Sequence, residues 1–370
     1  MNALVAPDIA RKSGFRDLKV VAKVRESSII TSFYLEPVDP DGWRAFRPGQ
    51  FLVFRIPVAG EQKFVLRNYS VSCSPARKGS YRITVKREKA PGPDCPDGLS
   101  SCYLHDSIQV GDVLEAEGPR GDFVLDRSSA RPVVLISGGV GLTPMVSMLH
   151  ELAAETDRRA FFIHACDNGD VHALRDEVSA LTASRPGLKA HVCYRFPTER
   201  DRAAASHHSE GVISRELLQN LLPLDDYDVY LCGPPPFMQA VYRTMRDLGV
   251  PKHRIAYEFF GPATVLELAV IASAPTLPAL AEVPAGAVTV EFRKSGLKAV
   301  WDGKAESLLA FAEQQGLSPD FSCRAGICST CKSGLIAGEV AYFEEPLDEL
   351  GAGEVLLCCS KPQGSVVLDI

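Results

Sequence analysis

Three rhythms of hydrophobic and polar residues succeed one another along this chain of 370 residues. From Phe15 to about Asp126 the apolar residues come in short runs, such as Phe51-Leu-Val-Phe-Arg-Ile56 and Tyr81-Arg-Ile-Thr-Val-Lys86, separated by turn-forming residues. Short strands at regular spacing, without a helical period, predict an antiparallel β-barrel. From Pro132 to about Gly261 apolar runs (Val133–Ile136, Ala160–Ile163, Ala190–Tyr194, Val229–Leu231) alternate with stretches of helical period (Pro144–Glu155, His172–Ala183, Arg215–Leu221, Pro236–Leu248). That alternation predicts a doubly wound α/β domain on a parallel sheet. Ala272 to Ala287 sets Pro275, Pro278 and Pro284 among alanines, which resists helix and sheet alike and reads as a semi-rigid linker. From Val288 onward an α+β module follows. The expected boundaries are 14–127 for the barrel, 128–268 for the α/β domain, 269–287 for the linker and 288–370 for the last module.

Composition narrows the class. Hydrophobic residues make up 46% and charged residues 23%, as in ordinary globular proteins, and a net charge of −6 argues against a nucleic-acid binder. Met1 to Lys12 lacks the apolar core of a signal peptide, and no apolar run approaches the roughly 20 residues that span a bilayer. A cytoplasmic, monomeric protein without membrane or nucleic-acid partners is therefore expected. Eleven cysteines are many for that compartment, where structural disulfides are rare, so a chemical use is sought for them.

The clearest use is Cys323-Arg-Ala-Gly-Ile-Cys328-Ser-Thr-Cys331, followed at a distance by Cys358-Cys359. The spacing C-x4-C-x2-C with a remote fourth cysteine is that of plant-type [2Fe–2S] proteins. Four soft, anionic thiolates suit two iron ions bridged by sulfides. Ala325, Gly326, Ser329 and Thr330 are small enough to let backbone N–H groups turn toward the sulfurs. A zinc site would place two ligands on each side rather than crowd three into one loop. Spacing alone leaves Cys358 and Cys359 both open as the fourth ligand.

Two further motifs point to redox cofactors. Arg67-Asn68-Tyr69-Ser70 ends a strand-rich stretch: an arginine fork suits a phosphate, a tyrosine ring suits a flat ring system, and a serine hydroxyl can reach a ring nitrogen. Downstream, Val85-Lys86-Arg87 and Gly98-Leu-Ser100-Ser101 offer backbone N–H and hydroxyl groups. Gly138-Gly139-Val-Gly141-Leu-Thr143-Pro144 follows an apolar strand and opens a helix. Glycines there allow close backbone approach, and the helix start presents free N–H groups to a pyrophosphate. Cys232-Gly233-Pro234 forms a turn after the last strand of the same domain.

In that order the motifs resemble the ferredoxin–NADP reductase superfamily. Gly14 to Leu268 is similar to the reductase half of bacterial flavohaemoglobins, through Arg67–Ser70, His164-Ala-Cys-Asp-Asn-Gly-Asp-Val-His-Ala173, Ser209-Glu-Gly211, Cys232-Gly-Pro234 and Tyr257-Glu-Phe-Phe-Gly-Pro262. Only about 14 residues precede the barrel, so no globin half is expected. The order flavin–NAD–[2Fe–2S] resembles the reductase components of Rieske-type oxygenases and demethylases, with a β-grasp ferredoxin domain at the C-terminus. The resemblance implies FAD bound by Arg67, Asn68, Tyr69, Ser70, Val85, Lys86, Gly98, Ser100 and Ser101. It implies NADH bound by Gly138, Gly139, Gly141, Thr143, Pro144, Cys232, Gly233 and Pro234, with Phe260 against flavin or nicotinamide. Ser70, Cys232 and Glu258 are the residues it implies at the hydride transfer. Plant-type ferredoxins usually place the last ligand four residues before a proline such as Pro362, which selects Cys358 beside Cys323, Cys328 and Cys331. Cys359 is expected on the opposite face of a strand.

The implied activity is an NADH:acceptor oxidoreductase passing electrons from NADH through FAD and the cluster to a separate protein, foremost the oxygenase component of a two-component monooxygenase. A hybrid-cluster or haem protein as acceptor, or a redox sensor without turnover, are the competing readings. Asp167 and Asp170 follow the second strand of the nucleotide domain and would repel a 2′-phosphate, favouring NADH, whereas Arg195 would favour NADPH. His207-His208 lies in a polar stretch and reads as a solvated loop.

Overall fold

The computed structural model describes residues 14–58, 64–90, 97–260 and 288–370, apart from 302, 318, 322–325, 327, 328, 330, 348 and 349. The linker 269–287, Cys323, Cys328 and residues 261 and 262 lie outside the described residues. By contacts the chain divides into two units, Met1–Ile213 with Leu217–Tyr230, and Ser214–Glu216 with Leu231–Ile370.

The first unit opens with six antiparallel strands, β1 (Arg16–Arg25), β2 (Ile30–Pro37), β3 (Phe51–Pro57), β4 (Phe64–Ser70), β5 (Tyr81–Lys86) and β6 (Val113–Arg120), in the order β4-β3-β6-β1-β2-β5. A bridge between Val71 and Ile83 joins the two outer strands and closes the sheet into a barrel. Strand side chains alternate, so Leu18, Val20, Phe33, Leu35, Leu52, Phe54, Tyr81 and Ile83 fill the interior. The barrel also holds helix α1 (Leu99–Asp106), which the reading of short strands alone did not foresee. Its eight residues are too few to show a helical period. The backbone fit at Gly98 explains the start: a Cβ there would stand 2.9 Å from the Glu88 Cβ and 2.7 Å from the Ser101 Oγ.

The α/β domain contains β7 (Val133–Gly138), α2 (Leu142–Glu155), β8 (Ala160–Cys166), α3 (Arg175–Ala183), β9 (Leu188–Tyr194), α4 (Glu199–Ala203), β10 (Ser209–Glu210), α5 (Arg215–Leu221), β11 (Asp228–Gly233), α6 (Pro235–Asp247) and β12 (Ile255–Phe259). The sheet order is β10-β9-β8-β7-β11-β12, and β7, β8, β9 and β10 pair in parallel. Every residue of β7 is buried, as a strand covered on both faces requires. α3 begins at Arg175, three residues later than its periodicity predicts. Leu174 adopts a left-handed φ of 55° and cannot continue a helix, and His172 is instead drawn into the core by a 2.9 Å hydrogen bond to the Tyr194 hydroxyl.

Within the second unit, β13 (Thr289–Phe292), β14 (Leu297–Val300), α7 (Leu308–Gln314), β15 (Lys332–Ala337), β16 (Val340–Tyr342), β17 (Glu354–Leu356), β18 (Ser360–Pro362) and β19 (Val366–Leu368) build an α+β fold of the β-grasp kind. Its five-stranded sheet runs β14-β13-β19-β15-β17, with β13 and β19 parallel, and β16 pairs with β18. Ser307 caps α7 through the Ala310 N–H, and Leu308, Leu309, Phe311 and Ala312 pack with Val355, Leu356 and Leu357 in one core. No helix of the described residues is long and apolar enough to cross a membrane.

Candidate functional site

Arg67, Asn68, Tyr69 and Ser70 form the last residues of β4. Arg67 and Asn68 are exposed, and Ser70 is buried where the strand turns inward. The Arg67 guanidinium donates to the Leu66 carbonyl at 2.7 Å. Tyr69 packs edge-on to Phe54, with centroids 5.8 Å apart, and burial pushes its hydroxyl pKa up. The Tyr69 hydroxyl also senses Arg67, Glu88 and Cys102, so the end of β4 lies beside the segment that leads into α1. Gly98 caps α1, and Ser100 and Ser101 lie in its first turn. Ser101 spends its hydroxyl on structure, between the Glu88 N–H and the Gly98 carbonyl, each at 3.1 Å. The hydroxyls of Ser70 and Ser100 are buried with no hydrogen-bond partner among the described residues. An unmade hydrogen bond on a buried hydroxyl costs about 1–3 kcal/mol, so a polar ligand edge that satisfies both is the natural complement. The side chains of the first unit therefore fit a flavin. Lys86 pairs with Glu88 at 2.9 Å, and the Val85 carbonyl is 2.9 Å from His105 Nε2.

Gly138, Gly139 and Gly141 turn β7 into α2. Gly139 has a φ of +54°, and a Cβ there would meet nothing within 4 Å, so the turn faces open space. Thr143 returns its hydroxyl to the Val140 carbonyl at 3.1 Å, and Pro144 sits in the first turn of α2, where a missing N–H is harmless. Beneath the turn, Ser137 Oγ meets His164 Nδ1 at 2.9 Å, and the His164 and His172 rings lie 4.8 Å apart. Burial pushes both imidazoles toward the neutral form: His164 well below its ordinary value, His172 to about 4. At the end of β9, Arg195 is exposed with its guanidinium 4.7 Å over the Phe196 ring, while its N–H holds the Cys166 carbonyl beside Asp167.

In the second unit Cys232 is fully buried at the end of β11, with Gly233 and Pro234 leading into α6. Burial drives its thiol well above the ordinary value, and the Glu258 carboxylate adds to the shift, so the two side chains share one electrostatic environment. A thiol held in this way is a neutral neighbour rather than a nucleophile. Phe260, just past β12, is 39% exposed.

Around the cluster loop, Cys331, Cys358 and Cys359 are buried. Leu357–Cys359 is a 3-10 turn, not a strand, so the two-residue alternation expected to turn Cys359 outward does not operate. The sulfurs differ in their bonding instead. Cys358 Sγ accepts the Gly326 N–H at 3.4 Å, and Cys331 Sγ accepts the Cys358 N–H at 3.4 Å. Cys359 Sγ donates to the Leu356 carbonyl at 3.8 Å, as a plain thiol does.

Of the histidine pair at 207–208, which lies in a loop, His207 alone departs from a solvated position. His207 stacks on Tyr194 with centroids 5.0 Å apart and only 8% of its side chain exposed; His208 is exposed. Sequence reasoning also missed a buried contact between barrel and nucleotide domain, formed by Arg82, Ser147 and Glu177. The available signal was an arginine set among the apolar residues of β5.

The oxidoreductase FAD-binding domain model matches residues 17–125, the oxidoreductase NAD-binding domain model residues 135–243, and the 2Fe-2S iron-sulfur cluster binding domain model residues 293–363. The chain belongs to the ferredoxin–NADP reductase superfamily and is an oxidoreductase with FAD-binding, NAD-binding and [2Fe–2S] domains. Its reductase part is of the flavohaemoprotein type. The flavohaemoprotein of Bacillus thuringiensis subsp. konkukian is 45% identical over 272 residues, which cover 72% of this chain and 67% of that protein. The flavohaemoglobin-like FAD/NAD-binding domain of the nitric oxide dioxygenase from Vibrio cholerae O1 biovar El Tor is 37% identical with a TM-score of 0.60, covering 67% of this chain and 100% of that one. Phthalate dioxygenase reductase is 25% identical with a TM-score of 0.55, and the likeness covers 96% of this chain and 98% of that one.

Proposed function

We propose that the protein is the reductase of a two-component system, carrying electrons from NADH through FAD and [2Fe–2S] to a separate acceptor protein, foremost a Rieske-type oxygenase or demethylase. The carrying observation is the modular likeness to phthalate dioxygenase reductase, which runs through all three modules and covers 98% of that chain. FAD, when bound, supplies an acceptor that takes a hydride and returns electrons one at a time. Arg67, Tyr69, Ser70 and Ser100 would hold it: the exposed guanidinium would serve the flavin phosphate, Tyr69 the ring, and the two unpartnered hydroxyls a polar edge of the flavin. Gly138, Gly139 and Gly141 admit the nucleotide pyrophosphate to the start of α2. Cys232, as a neutral thiol, and Glu258 would serve the nicotinamide. Cys323, Cys328, Cys331 and Cys358 hold the cluster; the N–H groups aimed at Cys331 and Cys358 support the choice of Cys358 over Cys359.

The test is reconstitution. Purified protein, NADH and candidate Rieske oxygenases are mixed, and reduction of the oxygenase cluster is followed spectroscopically. Rapid NADH-dependent reduction is expected. Brisk flavin reduction with no transfer to any Rieske protein, but fast transfer to a haem or hybrid-cluster protein, overturns the assignment of the acceptor.

A further inference from the structure

The barrel and the nucleotide domain meet, within the first unit, on three residues downstream of Ser70. Ser72 and Arg82 are joined by reciprocal bonds: Ser72 N–H to the Arg82 carbonyl at 2.8 Å, Ser72 Oγ to the same carbonyl at 3.1 Å, Arg82 Nε to Ser72 Oγ at 3.1 Å, and Arg82 Nη2 to the Ser72 carbonyl. The buried guanidinium then reaches across to α3. There Nη1 and Nη2 grip both oxygens of Glu177 at 2.6 and 2.9 Å. Glu177 is a node, since its Oε1 also lies 2.6 Å from His150 Nε2 on α2. One residue past Ser72, the Cys73 carbonyl accepts the hydroxyl of the fully buried Ser147, again from α2, at 2.9 Å.

These contacts join the two halves of the reaction over a short path. Cys73 lies three positions after Ser70, and Ser147 five positions after Leu142, the first residue of α2. At the reach of an extended chain and the rise of a helix, the two segments together span under about 20 Å, and the 2.9 Å hydrogen bond joins them. A single bond between domains would be a pivot. Two attachments to neighbouring residues, Ser72 through Arg82 to α3 and Cys73 to α2, resist rotation. A bidentate arginine–carboxylate pair also fixes direction as well as distance. Hydride transfer depends steeply on such placement: a misplacement of about 1 Å can slow a reaction about 100-fold.

We propose that Arg82, Glu177 and Ser147 are positioning residues that set the approach of nicotinamide to flavin, beyond holding the domains together. This rests on the reading that the two rings meet across this pair of domains, and is independent of the acceptor's identity. The test uses the full-length holoprotein and its Ser147→Ala and Glu177→Gln variants. Flavin reduction is measured by stopped flow with NADH and with NADH deuterated at C4. Affinity for NAD⁺ and the long-wavelength charge-transfer absorbance of the reduced protein with NAD⁺ are measured separately, as is thermal stability.

In each variant flavin reduction is expected to slow at least 10-fold. The isotope effect should change and the charge-transfer band weaken, while NAD⁺ affinity stays within about 2-fold. Ser147→Thr, which restores the hydroxyl, should recover most of the rate. If Glu177→Gln fails to fold because Arg82 is left buried without its partner, Ser147→Ala decides alone. Variants that melt lower but reduce flavin within 2-fold of the parent, with an unchanged band, overturn the proposal and leave the contact as adhesion only. A parent protein whose flavin is bleached by neither NADH nor NADPH refutes the underlying reading and the proposal with it.

Discussion

His172 gives the most quantitative handle on this structure. The ring is buried between His164 and Tyr194, and its pKa falls to about 4 from an ordinary 6.5, first through burial and then through the charge of Arg175, with Asp201 opposing. A lowered histidine pKa means that the unfolded chain binds the proton first. The contribution to stability is complete above pH 6.5 and is lost as pH falls from 6.5 toward 4. Between pH 7 and pH 5 that linkage removes about 2 kcal/mol for His172 alone, with a limiting slope of about 1.4 kcal/mol per pH unit. His164 pulls in the same direction. The paired carboxylate Glu177, lowered to about 2, loses its contribution mainly at lower pH, so the window from 7 to 5 belongs to the histidines. His172→Gln keeps a polar group for the Tyr194 hydroxyl and removes the titration. Urea unfolding followed by hydrogen exchange of the β8 and β9 amides isolates this domain from the others. The parent should lose about 2 kcal/mol more than the variant on going from pH 7 to pH 5. Equal losses in the two proteins would refute the claim that the fold holds His172 neutral.

Cys358→Ser should abolish the iron–sulfur absorbance while Cys359→Ser keeps it, and nicotinamide should still bleach the flavin in both; the reverse pattern would reassign the fourth ligand. Steady-state assays should give a higher kcat/KM for NADH than for NADPH, because Asp167 and Asp170 follow β8 and the Arg195 guanidinium is laid over Phe196. A preference for NADPH would show that Arg195 leaves Phe196 for a 2′-phosphate. Ser70→Ala should leave the FAD-free protein as stable as the parent, or up to about 1–3 kcal/mol more so, since it deletes a buried hydroxyl with no partner among the described residues. The same change should weaken FAD binding several-fold by fluorescence titration, and an unchanged affinity would place the Ser70 hydroxyl away from the flavin.

What the chain discloses in advance follows from how local each signal is. Strands β3 and β5 begin where their apolar runs begin, because alternation along a strand is a property of consecutive residues. The glycine turn at 138–141 is legible because the left-handed φ at Gly139 favours a residue without a Cβ. The [2Fe–2S] character of the last domain is legible from three clustered cysteines because a ligand loop must be short. Where meaning depends on partners far along the chain, the same reading fails. Arg82 stands out among the apolar residues of β5, yet nothing local names its partner Glu177, 95 residues away on α3. His207 belongs to a polar run and still packs on Tyr194, because the segment from Ala205 folds back over β9 through the bond from the His208 N–H to the Val192 carbonyl.

The fourth cysteine shows the same limit from the other side. Alternation would separate Cys358 from Cys359 only if both lay in a strand, and the chain instead tightens into a 3-10 turn before resuming at β18. Both sulfurs then face the interior, and a Cβ on Gly326 would come within 3.0 Å of Cys359 Sγ, so proximity to the cluster loop does not choose between them. The bonding does. A cluster thiolate needs N–H donors pointed at it, because hydrogen bonds to sulfur stabilise its negative charge in a dry site. Cys358 Sγ receives such a donor from the loop itself, and its own N–H is given to Cys331. Cys359 gives its proton to a carbonyl, an arrangement that would leave a thiolate facing an oxygen's lone pairs. The proposal of Cys358 thus rests on the direction of three hydrogen bonds, which no spacing between cysteines encodes.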